Sequence, residues 1–237
     1  MKKAILFFCF LIIASGMSFA VDFTQGPESA QPGNILISGG LSMGSASTRV
    51  PPMGGYGTRT FSSNLLGITL AVDYALPMYG LTVGGEIGYL SGEVSGDLNN
   101  GFRLWKIYIE AIPLMGRFGY HPDFGIPNLD LYALAKVGFA RVTTTMIGFG
   151  PSSTNNFGFG IGFGAGGRYF FTGNLGAFAE LGVDSFSFST TFSTTLGDTT
   201  SNVTGRKYLT AGVTFKINMR PLLVRQELVS QEDQKEM

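Results

Sequence analysis

From residue 33 to residue 217 the chain alternates between apolar positions and small or polar ones, in eight stretches of about ten residues. In residues 65–76, Leu66, Ile68, Leu70, Val72, Tyr74 and Leu76 form one series, and Leu65, Gly67, Thr69, Ala71, Asp73 and Ala75 form the other. Successive side chains of a strand point to opposite faces, so this is a strand with a greasy face and a small, polar one. The same alternation predicts strands over 35–43, 81–89, 105–111, 131–139, 157–166, 177–184 and 208–217. In the fourth, Trp105, Ile107, Ile109 and Ala111 are expected on the outer face, with Lys106, Tyr108 and Glu110 inside. Pro113 has no N–H to give a ladder, so a bulge is expected there, with Arg117 beyond it pointing inward. The connections at 77–80, 121–128 and 172–174 are short. Those at 44–63, 91–103, 143–156 and 189–205 are longer and rich in Ser, Thr, Asn and Gly.

Alternation alone does not say which face is outside, since a soluble barrel also alternates, with its greasy face inward. Charge decides. Charged residues make up 14% of the chain, against about 25% in soluble domains. The polar face is mostly Gly, Ala, Ser and Thr with about one charge per strand, which suits the crowded lumen of an eight-stranded barrel rather than a wetted exterior. The start of the chain agrees. Lys2 and Lys3 precede an apolar stretch at 4–14, and Ser18-Phe19-Ala20 has the spacing of a signal peptidase site, with cleavage expected after Ala20. Cys9 lies too early for a lipoprotein signal. No later run of eighteen apolar residues exists, so no transmembrane helix is expected. An exported, apolar chain without such a helix can occupy a bilayer only as a closed barrel, because hydrocarbon tolerates no open hydrogen-bonding edge. The expected fold is all-β: an eight-stranded antiparallel, transmembrane up-and-down barrel. The expected organisation is a signal peptide at 1–20, a periplasmic lead-in at 21–32, the barrel at 33–217 and a short periplasmic tail at 218–237. Short turns alternating with long loops place the loops outside the cell and both termini in the periplasm.

Composition narrows the chemistry. Loss of Lys2 and Lys3 leaves two fewer cations than the 16 acids, a net charge of −2, which offers no basic footprint for nucleic acid. Cys9 is the only cysteine and His121 the only histidine, so no thiolate metal site, disulfide or thiol nucleophile is expected in the mature chain, and no cofactor. His121 reads as a turn residue beside Pro122, with Asp123 and Asp130 nearby but no nucleophile, and no enzymatic role is expected. Gly162-x-Gly164-x-x-Gly167 matches a dinucleotide fingerprint, but that motif needs a helix opening within it. Here glycine continues at period two between Phe and Ile, so it reads as the lining of a tight lumen. The inward charges are Asp73, Glu86, Glu110, Glu180 and Asp184 against Lys106, Arg117, Lys136, Arg168 and Lys216. Buried charges must be paired, so these are expected to form either an ion-pair plug or the charged constriction of a polar path. Tyr56, Tyr74, Tyr89, Trp105, Tyr120, Phe139 and Phe170 fall near strand ends, as interfacial aromatics do.

With that layout the chain resembles the small outer-membrane barrels, OmpA/OmpX-like and OmpW-like. The resemblance covers residues 33–217 and rests on the eight-strand pattern, on Asn128-Leu-Asp-Leu-Tyr132 and Gly116-Arg-Phe-Gly-Tyr120, and on the last strand. There Thr210, Gly212, Phe215 and Ile217 look like the signal read by the outer-membrane assembly machinery. Ile217 stands where family members usually carry an aromatic, and some twenty residues follow it. The resemblance implies the lipid bilayer and that machinery as partners, and two candidate functions. One is a narrow, OmpW-like channel for small or hydrophobic solutes. The alternative is a structural or surface-exposed, adhesin-type barrel with a plugged lumen, meeting host surface molecules through loops such as the one carrying Arg49, Pro51, Pro52, Met53, Tyr56 and Arg59. Apolar residues in the lumen phase, Leu65, Leu90, Leu134 and Phe178, separate the two: a channel for apolar solutes needs them clustered beneath the loops.

Overall fold

A computed structural model describes residues 30–50, 59–78, 80–97, 103–147, 152–194 and 197–219. The expected signal peptide with its cleavage site at Ala20, most of the lead-in and nearly all of the tail lie outside these residues. Eight strands follow one another: β1 Asn34–Val50, β2 Arg59–Ala75, β3 Leu81–Asp97, β4 Arg103–Tyr120, β5 Leu129–Ile147, β6 Ser152–Phe170, β7 Leu175–Thr194 and β8 Gly197–Asn218. Each pairs antiparallel with the next, and β8 pairs with β1, closing the barrel. The strands are 17 to 22 residues long, well beyond the expected ten. Much of 44–63, 91–103, 143–156 and 189–205, expected as loop, continues the ladders instead: Ser, Thr and Asn alternate there without a core signal, yet pair as well as any strand.

The register sets the width of the barrel. From Leu36 the paired residues run through Asp73, Gly84, Arg117, Lys136, Gly162, Asp184 and Arg206 and return to β1 at Ala46, ten residues along. A shift of ten over eight strands gives a tilt of about 41° and a backbone radius of about 8 Å at ordinary strand spacings. Such a lumen admits side chains and little else.

The two faces divide as a lipid-embedded barrel requires. Leu41, Leu66, Ile68, Phe163 and Leu181 each expose more than 60% of their surface to the outside. No soluble protein presents a continuous apolar belt of this kind. The inward residues are polar or charged toward the end carrying the short turns. Glycine on β6 makes room for them: a Cβ at Gly166 would lie 2.6 Å from Tyr132 Oη, and one at Gly162 would overlap the Asp184 carboxylate. Period-two glycine is thus a lumen wall, and not a nucleotide loop.

One strand departs from the expected phase. β4 passes through Pro113 without a bulge. Ile87 pairs with Leu114 and Leu90 with Ala111, so the ladder keeps its register across the proline. Ile109, Pro113, Met115 and Arg117 therefore share the inner face, while Tyr108 and Glu110 are exposed. The expectation failed because it took greasy to mean outward, and the loop end of this lumen is itself greasy. Of the aromatics, Tyr74, Tyr89 and Phe139 are exposed on the outer face, but Phe170 is buried, in phase with Arg168, and Tyr169 and Phe171 take the outward places. Tyr56 and the side chain of Trp105 lie outside the described residues.

The outer belt generates a direct test. Replacing Ile68, midway along β2, by Arg is expected to lower folding stability in lipid by about 2–4 kcal/mol, measured as the shift of the urea unfolding curve in vesicles.

Candidate functional site: a charged plug beneath an apolar chamber

All eight strands send polar side chains into the turn end of the lumen, and seven of them join one network. Arg117 on β4 is the hub, with Nε 3.0 Å from Asp73 on β2 and Nη2 2.9 Å from Glu180 on β7. Its Nη1 meets Glu86 on β3. Lys136 on β5 bridges Glu86 at 2.8 Å and Glu180 at 2.9 Å. Arg168 on β6 reaches Asp73 at 2.7 Å and Asp130 at 3.4 Å. Tyr208 and Tyr132 donate to Glu180 at 2.9 and 3.3 Å, and the rings of both lie against cations, Lys136 over Tyr208 at 4.3 Å and Arg168 over Tyr132 at 4.4 Å. At the bottom, His121 Nδ1 lies 2.7 Å from Asp130 and Nε2 lies 3.1 Å from Thr82 Oγ1. Every one of these side chains is buried.

The network is continuous from His121 to Lys136 and joins strands from opposite sides of the lumen. Five acids and five cations are buried among the described residues: Asp73, Glu86, Asp130, Glu180 and Asp184 against Arg117, Lys136, Arg168, Arg206 and Lys216. Of the ten residues expected, eight are here. Glu110 is not: it stands on the outer face and accepts a hydrogen bond from Tyr89 at 3.1 Å. The side chain of Lys106 is outside those described. Asp130 and Arg206 complete the balance and were missed, one because it was read as a turn neighbour of His121, the other because it precedes the recognised strand. His121, read as a turn residue, is in fact buried and hydrogen-bonded through both ring nitrogens. The pairing signal for it was its spacing from Asp130 across the β4–β5 turn. The residues of the expected assembly signal occupy the closing strand. Thr210 Oγ1 lies 3.0 Å from Ser42 Oγ on β1, Gly212 pairs with Gly40 and with Phe178, and Phe215 faces out.

Above the plug the lumen changes character. Leu65, Leu90, Ile109, Met115, Val142 and Phe186 form one buried apolar cluster toward the loop end. Of the four apolar lumen residues singled out in the sequence, Leu65 and Leu90 belong to it, while Leu134 and Phe178 lie lower, among the charges. A small cavity of about 30 Å³ lies within this chamber, bounded below by Arg206.

Beside the chamber the wall is irregular. β7 and β8 pair up to Asp184–Arg206, and the ladder resumes with its register shifted at Phe188–Val203. The β1–β8 ladder shifts at the same level, between Ser47 and Thr48. A cavity of about 470 Å³ opens here, lined by the outward-facing residues Ile161, Phe163 and Val183 together with Ala46, Asp184 and Arg206, whose side chains are buried. Gly205 borders both cavities, and a Cβ there would meet nothing within 4 Å.

Two substitutions separate the plug from the outer face. Arg117→Met leaves three buried carboxylates with only Lys136 and Arg168 to balance them and is expected to cost about 3–5 kcal/mol, seen as a lowered urea midpoint of the folded barrel in micelles. Glu110→Gln is expected to leave that midpoint within about 0.5 kcal/mol of the parent; a large loss would return Glu110 to the lumen.

No protein-family model matches the chain, and no curated protein matches it. Solved structures do. The outer membrane protein OprG from Pseudomonas aeruginosa superposes with a TM-score of 0.53 at 14% identity, over 82% of this chain and 99% of that one. Neisserial surface protein A gives 0.48 at 14% identity, over 78% and 97%. The N-terminal β-barrel domain of Pseudomonas aeruginosa OprF gives 0.35 at 19% identity, over 81% and 100%. At such identities the likeness speaks for the fold, and OprG carries it. Closed by eight antiparallel strands, apolar outside and ion-paired within, the chain has the fold of the small outer-membrane β-barrels.

Proposed function

We propose that this barrel sits in a bacterial outer membrane, loops outside the cell and termini in the periplasm, and is an OmpW-like channel for small apolar solutes that leave it sideways into the bilayer. A solute would enter from the loops, lodge in the chamber beneath them and leave through the break between β7 and β8. The observation that carries this reading is the vertical order of the lumen: an apolar chamber stands above an ionic network, and the β7–β8 ladder shifts register at the junction of the two. The plug leaves the chamber no axial exit, and the gap provides a lateral one. A purely structural or adhesin-type barrel draws support from the plug as well, but gives the chamber and the gap no role. No step of this reading needs catalysis or a cofactor.

The test uses vesicles whose outer leaflet is lipopolysaccharide, which retards apolar molecules. The parent barrel is expected to speed entry of a small apolar fluorescent probe into the bilayer. Gly205→Phe, which places a ring in open space, is expected to return entry to the rate of empty vesicles while leaving the fold intact. Entry at the parent rate through Gly205→Phe would contradict the lateral route.

A further inference from the structure

Arg206 differs from the other lumen arginines in what it leaves unused. Arg117 engages three carboxylates and Arg168 two. Arg206 engages one, and both its Nε and its Nη2 fall on the same oxygen, Asp184 Oδ2. Arg206 Nη1 and Asp184 Oδ1 are left without hydrogen-bond partners, although both residues are buried. An arginine fork matches a carboxylate when two of its nitrogens meet two oxygens. This pair misses that match, and a buried N–H without an acceptor is a cost that an incoming anion would remove. Arg168 also leaves Nε unpartnered, but it borders neither cavity.

The position of Arg206 gives the idle donor a use. It borders the chamber on one side and the cleft on the other. The charged residues around the cleft are Arg206, Lys207 and Asp184, a net charge of +1, and beside them stand the apolar Ile161, Phe163 and Val183. Lys207 is exposed at the outer mouth, whereas Arg206 is buried at the inner one. One surplus positive charge next to an apolar surface is complementary to one anionic head on an apolar tail.

We propose that the wall gap recognises monoanionic amphiphiles, with Arg206 binding the anionic head and Ile161, Phe163 and Val183 receiving the tail. The head takes Arg206 as its side chain turns from Asp184 toward the cleft, and Lys207 offers the second cation on the way to the bilayer. Asp184 holds Arg206 in place between ligands, and its negative charge opposes anions that lack a tail to hold them. This assignment rests on the lateral route proposed above and adds the class of molecule that uses it.

The experiment compares decanoate with decanol, which share a chain and differ in the head, by calorimetric titration into the full barrel in zwitterionic phosphatidylcholine nanodiscs, each corrected for partition into empty discs. Decanoate is expected to bind about tenfold more tightly or better, the return of one charge-assisted hydrogen-bonded pair. Arg206→Met is expected to abolish that preference while decanol binding stays, and Asp184→Asn to increase it. A second set of discs containing phosphatidylglycerol identifies the natural source of the head. Competition with decanoate assigns it to lipid, undiminished decanoate binding assigns it to free carboxylates, and either supports the anionic site. Equal binding of decanoate and decanol to the parent barrel overturns the proposal, independently of any variant, and leaves lateral passage of neutral solutes standing. Binding of neither, together with no probe entry into lipopolysaccharide vesicles, removes the lateral route itself.

Discussion

The contact on which the rest of this structure depends is Arg117 and its three carboxylates. An eight-stranded barrel with a shear of ten has a backbone radius of about 8 Å, so inward side chains leave no room for bulk water, and the turn end is too polar to be left empty. Desolvated charges in such a space are tolerable only as pairs with their remaining hydrogen-bonding capacity filled. Asp73, Glu86 and Glu180 come from three strands and would repel one another; the guanidinium joins them, Lys136 adds a second cation, and two tyrosine hydroxyls occupy Glu180's remaining lone pairs. The network therefore ties β2, β3, β4, β5 and β7 across the lumen as well as around it. It also stands between the chamber and the turn end of the barrel.

The outer face was the most legible part of the sequence. Lipid favours apolar side chains, so the period-two pattern runs unbroken from Leu66 to Tyr74 on β2, from Leu131 to Phe139 on β5 and from Phe157 to Ala165 on β6, and strand number, pairing order and phase follow from it directly. The lower lumen was nearly as readable, since a charge in phase with small residues can only point inward. Legibility failed where the two solvents of the barrel became alike. On β4 both faces are apolar around Pro113, because Ile109, Pro113 and Met115 face the lumen while Ile112 and Leu114 meet lipid. Periodicity then carries no information about phase, and the proline was given a bulge that its neighbours' unbroken register excludes. Glu110 was misplaced with it.

The other failures have a different origin: they concern contacts that are distant in the chain. Arg206 lies in the part of β8 whose alternation is polar on both sides, so nothing local marked it as facing Asp184. His121 and Asp130 flank a turn, and only the barrel's closure buries them. The strand extensions toward the loops are likewise invisible to hydropathy, since Ser, Thr and Asn ladders are held by backbone pairing alone. The break between β7 and β8 belongs to this class too, being a shift of register rather than a pattern of residues.

Taken together, the lumen is a stack: loops, apolar chamber, junction at Arg206 and Asp184, then a sealed ionic floor. The central claim is that the floor is closed and passage is lateral. Single-channel recording of the refolded barrel in a planar bilayer tests it most directly. The account predicts a folded, inserted protein with no discrete ionic current across the physiological voltage range. Regular current steps that change in selectivity when Lys136 is replaced by Gln would contradict it, by showing that ions pass through the network itself.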